Sequence, residues 1–307
     1  MAQLTVEDVI NKIQSGKSLH QAELSTIDLS AQVLDGADFT EAYLRQATLT
    51  KASCQGTDFA KATLIMVDLE EANLERSHLQ NAVLTQAKLD RAKLATAEAI
   101  GAKFYGAMLA DADLTKAALD EADLREAIAP KARLRGASCV NAVANRADFR
   151  AAQFQEAILT RSQWRQAQLG KAMFSQGVLD QGVFDEAVLT EAVLVDMVAV
   201  NSSFKGAKLT GAELSRSQFD CANFTLANLV NTQLQGTSFF GGTLKGADLT
   251  GANLTGSSLQ DADLENANLE GVIWEDCEVM GAVFTDAVGL SEEQKQWLRD
   301  RGALNLG

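Results

Sequence analysis

Gly246-Ala247-Asp248-Leu249-Thr250-Gly251-Ala252-Asn253-Leu254 states one five-residue phrase almost twice. The beat it sets runs from Leu19 to Phe284 without a slip. Residues whose numbers end in 4 or 9 make 54 positions, of which 33 are Leu and 12 are Phe. Trp164, Trp274, Val279, Cys54, Cys139, Ala99, Ala129, Ala144 and Ala199 fill the rest. Two residues before the beat a small residue recurs, Ala in 36 of the 54 cases. A helix turns about 100° per residue, so residues five apart are rotated by roughly 140° and build no apolar stripe. A strand alternates faces, and an odd spacing would throw successive leucines to opposite sides. Period five works if each unit is a short extended segment and a bend, with two of its residues inward. Such a repeat implies a solenoid.

The words themselves, Ala37-Asp38-Phe39-Thr40-Glu41, Ala112-Asp113-Leu114-Thr115-Lys116 and the stretch quoted first, resemble the pentapeptide-repeat family, whose motif is roughly A(D/N)LXX. The resemblance covers about residues 17–287. It implies that family's fold, an all-β solenoid: a right-handed quadrilateral β-helix in which four pentapeptides make a square coil. On that reading residues 20 apart stack, and about 13 coils spaced ~4.8 Å make a rod of roughly 65 Å. One column then reads Leu124, Ala144, Trp164, Phe184, Phe204, Phe224, and another Leu109, Ala129, Phe149, Leu169. Small beats lie beside large ones, which reads as volume compensation in a packed core. The alternative is a local bulge near Ala129-Pro130, the only proline of the chain.

Both ends carry helical signals, dividing the chain into 1–16, 17–287 and 288–307. Thr5 with Asp8 makes a variant capping box ahead of Val6, Val9, Ile10 and Ile13, with Gly16 as a stop. Ser291 with Gln294 opens a second helix of about ten residues, ended by Gly302. Trp297 and Leu298 give it an apolar side. The sequence thus predicts two caps over the open β-edges. The resemblance implies a second use, docking of the carboxy-terminal helix on a twin to form a homodimer.

The formal net charge of −14 argues against direct nucleic-acid binding through the whole surface. Met1–Asp8 lacks the basic and apolar runs of a signal peptide. No stretch approaches 18 apolar residues, so no membrane span is expected, and the expected location is cytoplasmic. Cys54 and Cys139 fall on the inner beat. Cys221 and Cys277 lie ~13 Å apart along the expected axis, too far for a disulfide.

Nothing in the sequence assembles a catalytic, cofactor or metal site, and no enzyme is expected. The two histidines, His20 and His78, are remote from each other, and CxxC, HExxH and phosphate-loop motifs are missing. The 22 glycines fall mostly at corners such as Gly36, Gly56, Gly236 and Gly256, where a bend needs a permissive backbone. Asp38, Asp58, His78 and Glu98 should form an outward ladder, read chiefly as a solvated face. Trp164, Phe184, Phe204 and Phe224 read as core.

Function is therefore sought where the repeat is broken. Residues 125–171 hold 9 basic and 3 acidic residues: Arg125, Lys131, Arg133, Arg135, Arg146, Arg150, Arg161, Arg165 and Lys171 form the basic set. Residues 172–307 hold 7 basic and 19 acidic. This makes a positive waist suited to an acidic or phosphate-bearing partner. Next to it, Ile158, Met173, Val178, Val183, Val188, Val193 and Val198 stand where the repeat prefers Asp or Asn, with Val195 and Val200 just past the beat. Such an apolar belt suits a protein contact. The expectation is a non-enzymatic protein offering its surface to an unidentified protein partner. The family resemblance supplies an alternative, a DNA mimic that binds a type II topoisomerase such as DNA gyrase. A weaker one, from Ile13-Gln14-Ser15-Gly16-Lys17-Ser18-Leu19, is an adaptor beside type VI secretion genes.

Overall fold

In the computed structural model, which describes residues 4–306, the chain divides into two compact units, Met1–Ile158 and Leu159–Gly307. Within each unit, every side of the coil is a parallel bridge between residues 20 apart, such as Asp38↔Asp58, Asp58↔His78 and Asn228↔Asp248. Four pentapeptides therefore close one turn. Each side is so short that the bridge is confined to a single residue, the one before the beat. The beat residues and their small neighbours two positions earlier are buried along both units.

The five N–H groups from Phe39 to Tyr43 show what holds such a unit. Phe39 N donates to Asp58 O at 2.8 Å and Glu41 N to Ala60 O at 2.9 Å, both in the following coil. Tyr43 N donates backwards to Ala22 O at 2.9 Å, and Ala42 N closes the corner on Phe39 O at 3.0 Å. Only the first corner residue, Thr40, finds no backbone acceptor, and its N–H is taken by Asp38 Oδ1 at 3.0 Å. A buried or half-buried N–H needs a partner. That requirement is the physical content of the Asp or Asn in the repeat, and Asp28, Asp113, Asn223 and Asn253 meet it in the same way.

Where that position holds something else, an aspartate one coil earlier can take over. Asp35 accepts from Gln55 N, Asp90 from Ala110 N, Asp120 from Val140 N, Asp180 from Val200 N and Asp185 from Lys205 N. The residues standing in the Asp or Asn position there are Ser53, Met108, Ser138, Val198 and Ser203.

The corners correct one expectation. The second corner residue is left-handed throughout, but most of these positions are not glycine: Glu41, Lys51, Arg91, Lys131, Glu191 and Arg216 all have φ between 56° and 59°. With positive φ only at the third residue, and with the i→i+3 bond in all of these turns but that of Arg216, they are type II turns. A non-glycine residue there costs roughly 1–2 kcal/mol. It is held by its own N–H bond to the next coil, as Lys51 N is to Glu70 O at 2.9 Å. Glycine relieves that cost without being required.

Pro130 sits at the first corner position of such a turn, where its fixed φ is favoured. Ala132 N still reaches Ala129 O at 3.2 Å, and Met108↔Ile128↔Asp148 keep their register. Leu109, Ala129 and Phe149 are all fully buried. The coil runs through without a bulge, as volume compensation requires.

Two corners are opened. Ser217 Oγ donates to Leu194 O at 2.5 Å and accepts from Met197 N at 3.0 Å, so a hydroxyl stands inside the turn. Thr237 Oγ1 caps Leu214 O at 2.9 Å one coil on. Val195 and Ser215, first corner residues of these two turns, are only 9% and 7% exposed.

Helix α1 spans Val6–Gln14 and α2 spans Glu292–Arg299. Both capping boxes form. Asp8 N donates to Thr5 Oγ1 at 3.2 Å and Thr5 N to Asp8 Oδ2 at 3.0 Å. Gln294 N donates to Ser291 Oγ at 3.2 Å and Ser291 N to Gln294 Oε1 at 2.8 Å. Val9 and Leu298 are the fully buried residues of the two helices. At 8 residues, α2 is shorter than the sequence suggests. Past Gly302 the chain turns back and extends the last coil, with Phe284 N on Leu304 O at 3.0 Å and Leu304 N on Ala282 O at 2.8 Å.

Candidate interaction surfaces

The basic waist divides between the two units, and within each its residues are spread over several corners and sides. Most carry carboxylate partners. In the first unit Arg125 pairs with Asp123 at 2.7 Å, Arg133 with Asp113 at 3.0 Å, Arg135 with Glu156 at 2.6 Å and Arg150 with Asp148 at 2.5 Å. In the second, Arg165 lies 3.8 Å from Asp185 and Lys171 3.4 Å from Glu191. Arg146 and Arg161 are engaged too. The positive excess read from the sequence is thus partly neutralised, by Asp123 and Asp148 two residues before their arginines and by acids of neighbouring coils for the rest. Exposed ion pairs contribute about 0–1 kcal/mol, so a partner's phosphate or carboxylate could exchange with them at little cost.

These pairs leave a mark on the acids. Asp123 is held below the ordinary carboxylate range by Arg125, against the opposing effect of burial. For Asp113 burial is the largest single influence and raises it. The bonds from Thr115 and Arg133 together outweigh that influence and leave it lowered.

Val178, Val183, Val188, Val193 and Val198 occupy the outward bridge position on successive sides, so they encircle the coil, and each is half-buried. Only Met173 and Ile158 among these outward apolar residues are well exposed. A flat partner could reach the valines of one side, or of two adjacent sides, at a time. The valines also cannot accept hydrogen bonds, so the corners after Val178, Val183, Val188 and Val193 lack the side-chain bond that Asp38 gives.

The core beneath the belt is aromatic. Trp164, Phe184, Phe204 and Phe224 stack at centroid separations of 6.2, 5.0 and 4.9 Å with nearly parallel rings. Trp164 Nε1 donates to Ser162 Oγ at 2.7 Å, and that hydroxyl donates to Leu159 O at 2.6 Å. The column is filled core with its polar atoms satisfied.

The ladder Asp38, Asp58, His78 and Glu98 stacks as the spacing requires. Asp58 accepts from Ala60 N, Asp38 from Ser18 and Thr40, and His78 Nδ1 meets Glu98 Oε2 at 3.1 Å. Among the described residues no group of three or more His, Cys, Asp or Glu could hold a metal ion, and no helix is long and apolar enough to cross a membrane. Cys54 and Cys139 are buried, and burial pushes the Cys139 thiol up to about 12. Cys221 and Cys277 are free thiols.

At the carboxy-terminal end, Leu298 is fully buried within its own chain. Of the two residues proposed for a dimer face, Trp297 alone reaches the surface, and Arg301 lays its guanidinium 3.9 Å from the centre of the Trp297 ring. A cleft of about 480 Å³ opens between α2 and the last coil, lined by Val272, Trp274, Glu275, Asp276, Glu293, Gln294, Trp297 and Arg301. Sequence reasoning missed it, because its two walls meet only once the chain folds back.

Twenty-residue stacking, inward Ala and Leu and the Asp or Asn corner bond define a family. The model for pentapeptide repeats matches eight times, over residues 22–64, 37–76, 68–104, 77–115, 131–163, 147–181, 200–239 and 232–271, together more than half of the chain. The chain belongs to the pentapeptide-repeat family. A search of curated proteins returned no match.

Among solved structures it is similar to HetL, a pentapeptide repeat protein involved in heterocyst differentiation regulation in the cyanobacterium Nostoc sp. strain PCC 7120. The two share 27% identity over 70% of this chain and 90% of that one, with a TM-score of 0.33. Rfr23 from the cyanobacterium Cyanothece 51142 shares 26% identity over 31% of this chain and 63% of its own, TM-score 0.23. QnrB1, a plasmid-mediated fluoroquinolone resistance protein, shares 15% identity over 63% of this chain and 94% of its own, TM-score 0.33.

Proposed function

We propose that this is a non-enzymatic, cytoplasmic interaction protein: a right-handed coil of about 13 turns over residues 17–287, capped by the terminal segments 1–16 and 288–307, that offers its outside to a macromolecular partner. The observation that carries this reading is the filled interior. Inward positions are buried along both units, so recognition falls to the outward side chains. Among these the strongest departures from the repeat are the basic residues, Arg133, Arg135, Arg146, Arg150, Arg161, Arg165 and Lys171, and the valines from Val178 to Val198. Arg133→Glu, Arg146→Glu and Arg165→Glu, combined, should change the set of proteins captured from host lysate. An unchanged set would remove the basic residues from the contact.

A second reading is favoured by charge. Nineteen acidic residues against 7 basic ones after residue 172 suit mimicry of a phosphate backbone and binding to a type II topoisomerase such as DNA gyrase. The basic residues at 125–171 oppose it. A supercoiling assay with micromolar protein decides: neither inhibition nor protection would discard this reading. Homodimerisation through Trp297 is a further proposal, checked by the mass in solution.

A further inference from the structure

We propose that the last coil keeps an open β-edge over residues 272–276, and that this edge docks an extended segment of a partner polypeptide, small on its inner face and basic at its corner. The site lies apart from the basic and valine surfaces above.

One coil earlier the same side is closed. Leu254 N donates to Ile273 O at 2.9 Å, Gly256 N to Glu275 O at 2.8 Å, and Ile273 N returns to Ala252 O at 3.0 Å. In the last coil the equivalent groups, Trp274 N, Asp276 N and Val272 O, have no hydrogen-bond partner among the described residues. The cause is the path of the chain. Helix α2 stands where the next coil would run, and a helix spends its N–H and C=O groups on itself. The two N–H groups therefore point past the end of the coil. They face the cleft of about 480 Å³, which Val272, Trp274, Glu275 and Asp276 line on one wall and α2 on the other.

The neighbouring side shows what closes such an edge. There the chain after Gly302 returns as an extended segment: Leu304 N donates to Ala282 O at 2.8 Å, Phe284 N to Leu304 O at 3.0 Å and Gly281 N to Gly302 O at 3.0 Å. Its bridge, Val283↔Leu304, joins residues 21 apart where the coil uses 20. The end edge thus accepts a strand from outside the repeat and its register. A parallel segment over residues 272–276 makes the same kind of bonds. The residue stacked on Ile273 gives its N–H to Val272 O and its C=O to Trp274 N, and the residue two further on gives its C=O to Asp276 N. Unpaired edges recruit strands in this way.

Register sets the side chains. The two residues flanking the one on Ile273 face inward, over Val272 and Trp274 and under α2, where small side chains fit. The residue on Ile273 faces out, and Ile273 is 48% exposed, so an apolar side chain extends that contact. The next two stack on Glu275 and Asp276, exposed corner residues that form no ion pair among the described residues. With Glu293 opposite, three carboxylates stand against Arg301 alone, and Arg301 is turned to the Trp297 ring. Basic residues at the corner of the incoming segment complement them.

The test follows backbone amide exchange, residue by residue, in the full chain. The probe is acetyl-Ala-Val-Ala-Lys-Lys-amide, and its comparator is the same peptide N-methylated at valine, which cannot donate to Val272 O. In the free chain the Trp274 and Asp276 amides should exchange fast. The saturating probe should slow both about tenfold or more, and the methylated peptide should not. Val279 N is also unpaired, on the next side and outside the cleft lining, and should not respond. Glu275→Lys changes an exposed side chain, so it should keep the fold and weaken probe binding about fivefold. Slow exchange at Trp274 in the free chain, equal slowing by both peptides, no slowing by either, or full binding by Glu275→Lys would overturn the proposal. So would slowing that grows with protein concentration in the absence of peptide, together with a doubled mass, which would assign the edge to a second copy of this chain.

Discussion

The coil from Met173 to Ala192 and the coil from Thr243 to Ala262 share one backbone and are held by different forces. In the second, Asp248 accepts from Thr250 N at 3.1 Å and Asn253 from Thr255 N at 3.0 Å, and the inner beat is leucine: Leu244, Leu249, Leu254 and Leu259. In the first, the corresponding outward residues are Met173, Val178, Val183 and Val188, the three valines having no atom that accepts, and the beat carries Phe174 and Phe184. Phe184 touches three other rings, Trp164 and Phe204 face to face and Phe174 edge-on at 6.4 Å. A coil can therefore give up its corner bonds if its interior is bulkier. Hydrogen bonding fixes the leucine coil, and apolar packing fixes the valine coil.

The contrast breaks most directly at the core. Phe184→Ala should lose about 3–5 kcal/mol of stability, and Leu249→Ala about 2–5 kcal/mol, measured by urea unfolding. If Phe184→Ala proves the cheaper of the two, the aromatic column is filling and not an anchor.

The next effect inverts the repeat's own preference. Ala is the usual residue two before the beat, yet Gly182 stands before Phe184. A Cβ there would lie 2.8 Å from Leu179 O and 2.9 Å from Phe184 Cε2. Gly182→Ala should destabilise by about 1–3 kcal/mol through overpacking, although it restores the consensus. A neutral result would mean that the valine coil is as slack as an ordinary one.

Smaller still is the corner bond itself. Asp248→Ala or Asn253→Ala should cost about 1 kcal/mol, whereas Val188→Ala removes no hydrogen bond and loses only half-buried surface. Equal costs at Asp248 and Val188 would erase the distinction between the coils.

How much of this could be read in advance follows from how far apart the interacting residues are. The inner beat, the alanines, the stacking of residues 20 apart and both capping boxes involve a fixed local spacing, and they were legible. Gly182 was visible as an exception, but the reason for it, the edge of Phe184, needed coordinates. The left-handed corners without glycine were not legible, because glycine is the only residue that announces such a backbone, and Glu41 or Lys51 does not. The pairing of Arg133 with Asp113 joins two coils through rotamers that spacing leaves open, so the waist looked more positive than it is. The cleft at Trp274 and Trp297 depends on the path of the chain after Phe284, which no repeat dictates.

The last prediction carries the comparison into the first unit and uses pH. Asp113 belongs to a bonded corner: Thr115 N and Oγ1 donate to its Oδ1 at 3.0 and 2.6 Å, and Arg133 reaches its Oδ2 at 3.0 Å. Its folded value lies below the ordinary 3.8, so the unfolded chain takes up the proton first. The stabilisation is present in full above that ordinary value and is lost as pH falls below it and through the folded one. Asparagine serves the same corner elsewhere, as Asn73 and Asn253 do, because its carbonyl accepts the N–H without a charge. Asp113→Asn should therefore leave the melting temperature at pH 7 nearly unchanged, and make it fall less steeply below pH ~4. Val188→Ala removes no carboxylate and no corner bond, and should leave the acid limb of the curve where it was. If Asp113→Asn loses as much stability at neutral pH as Asp113→Ala, then the charge pairing with Arg133 is what holds that corner, not the bond to Thr115 N.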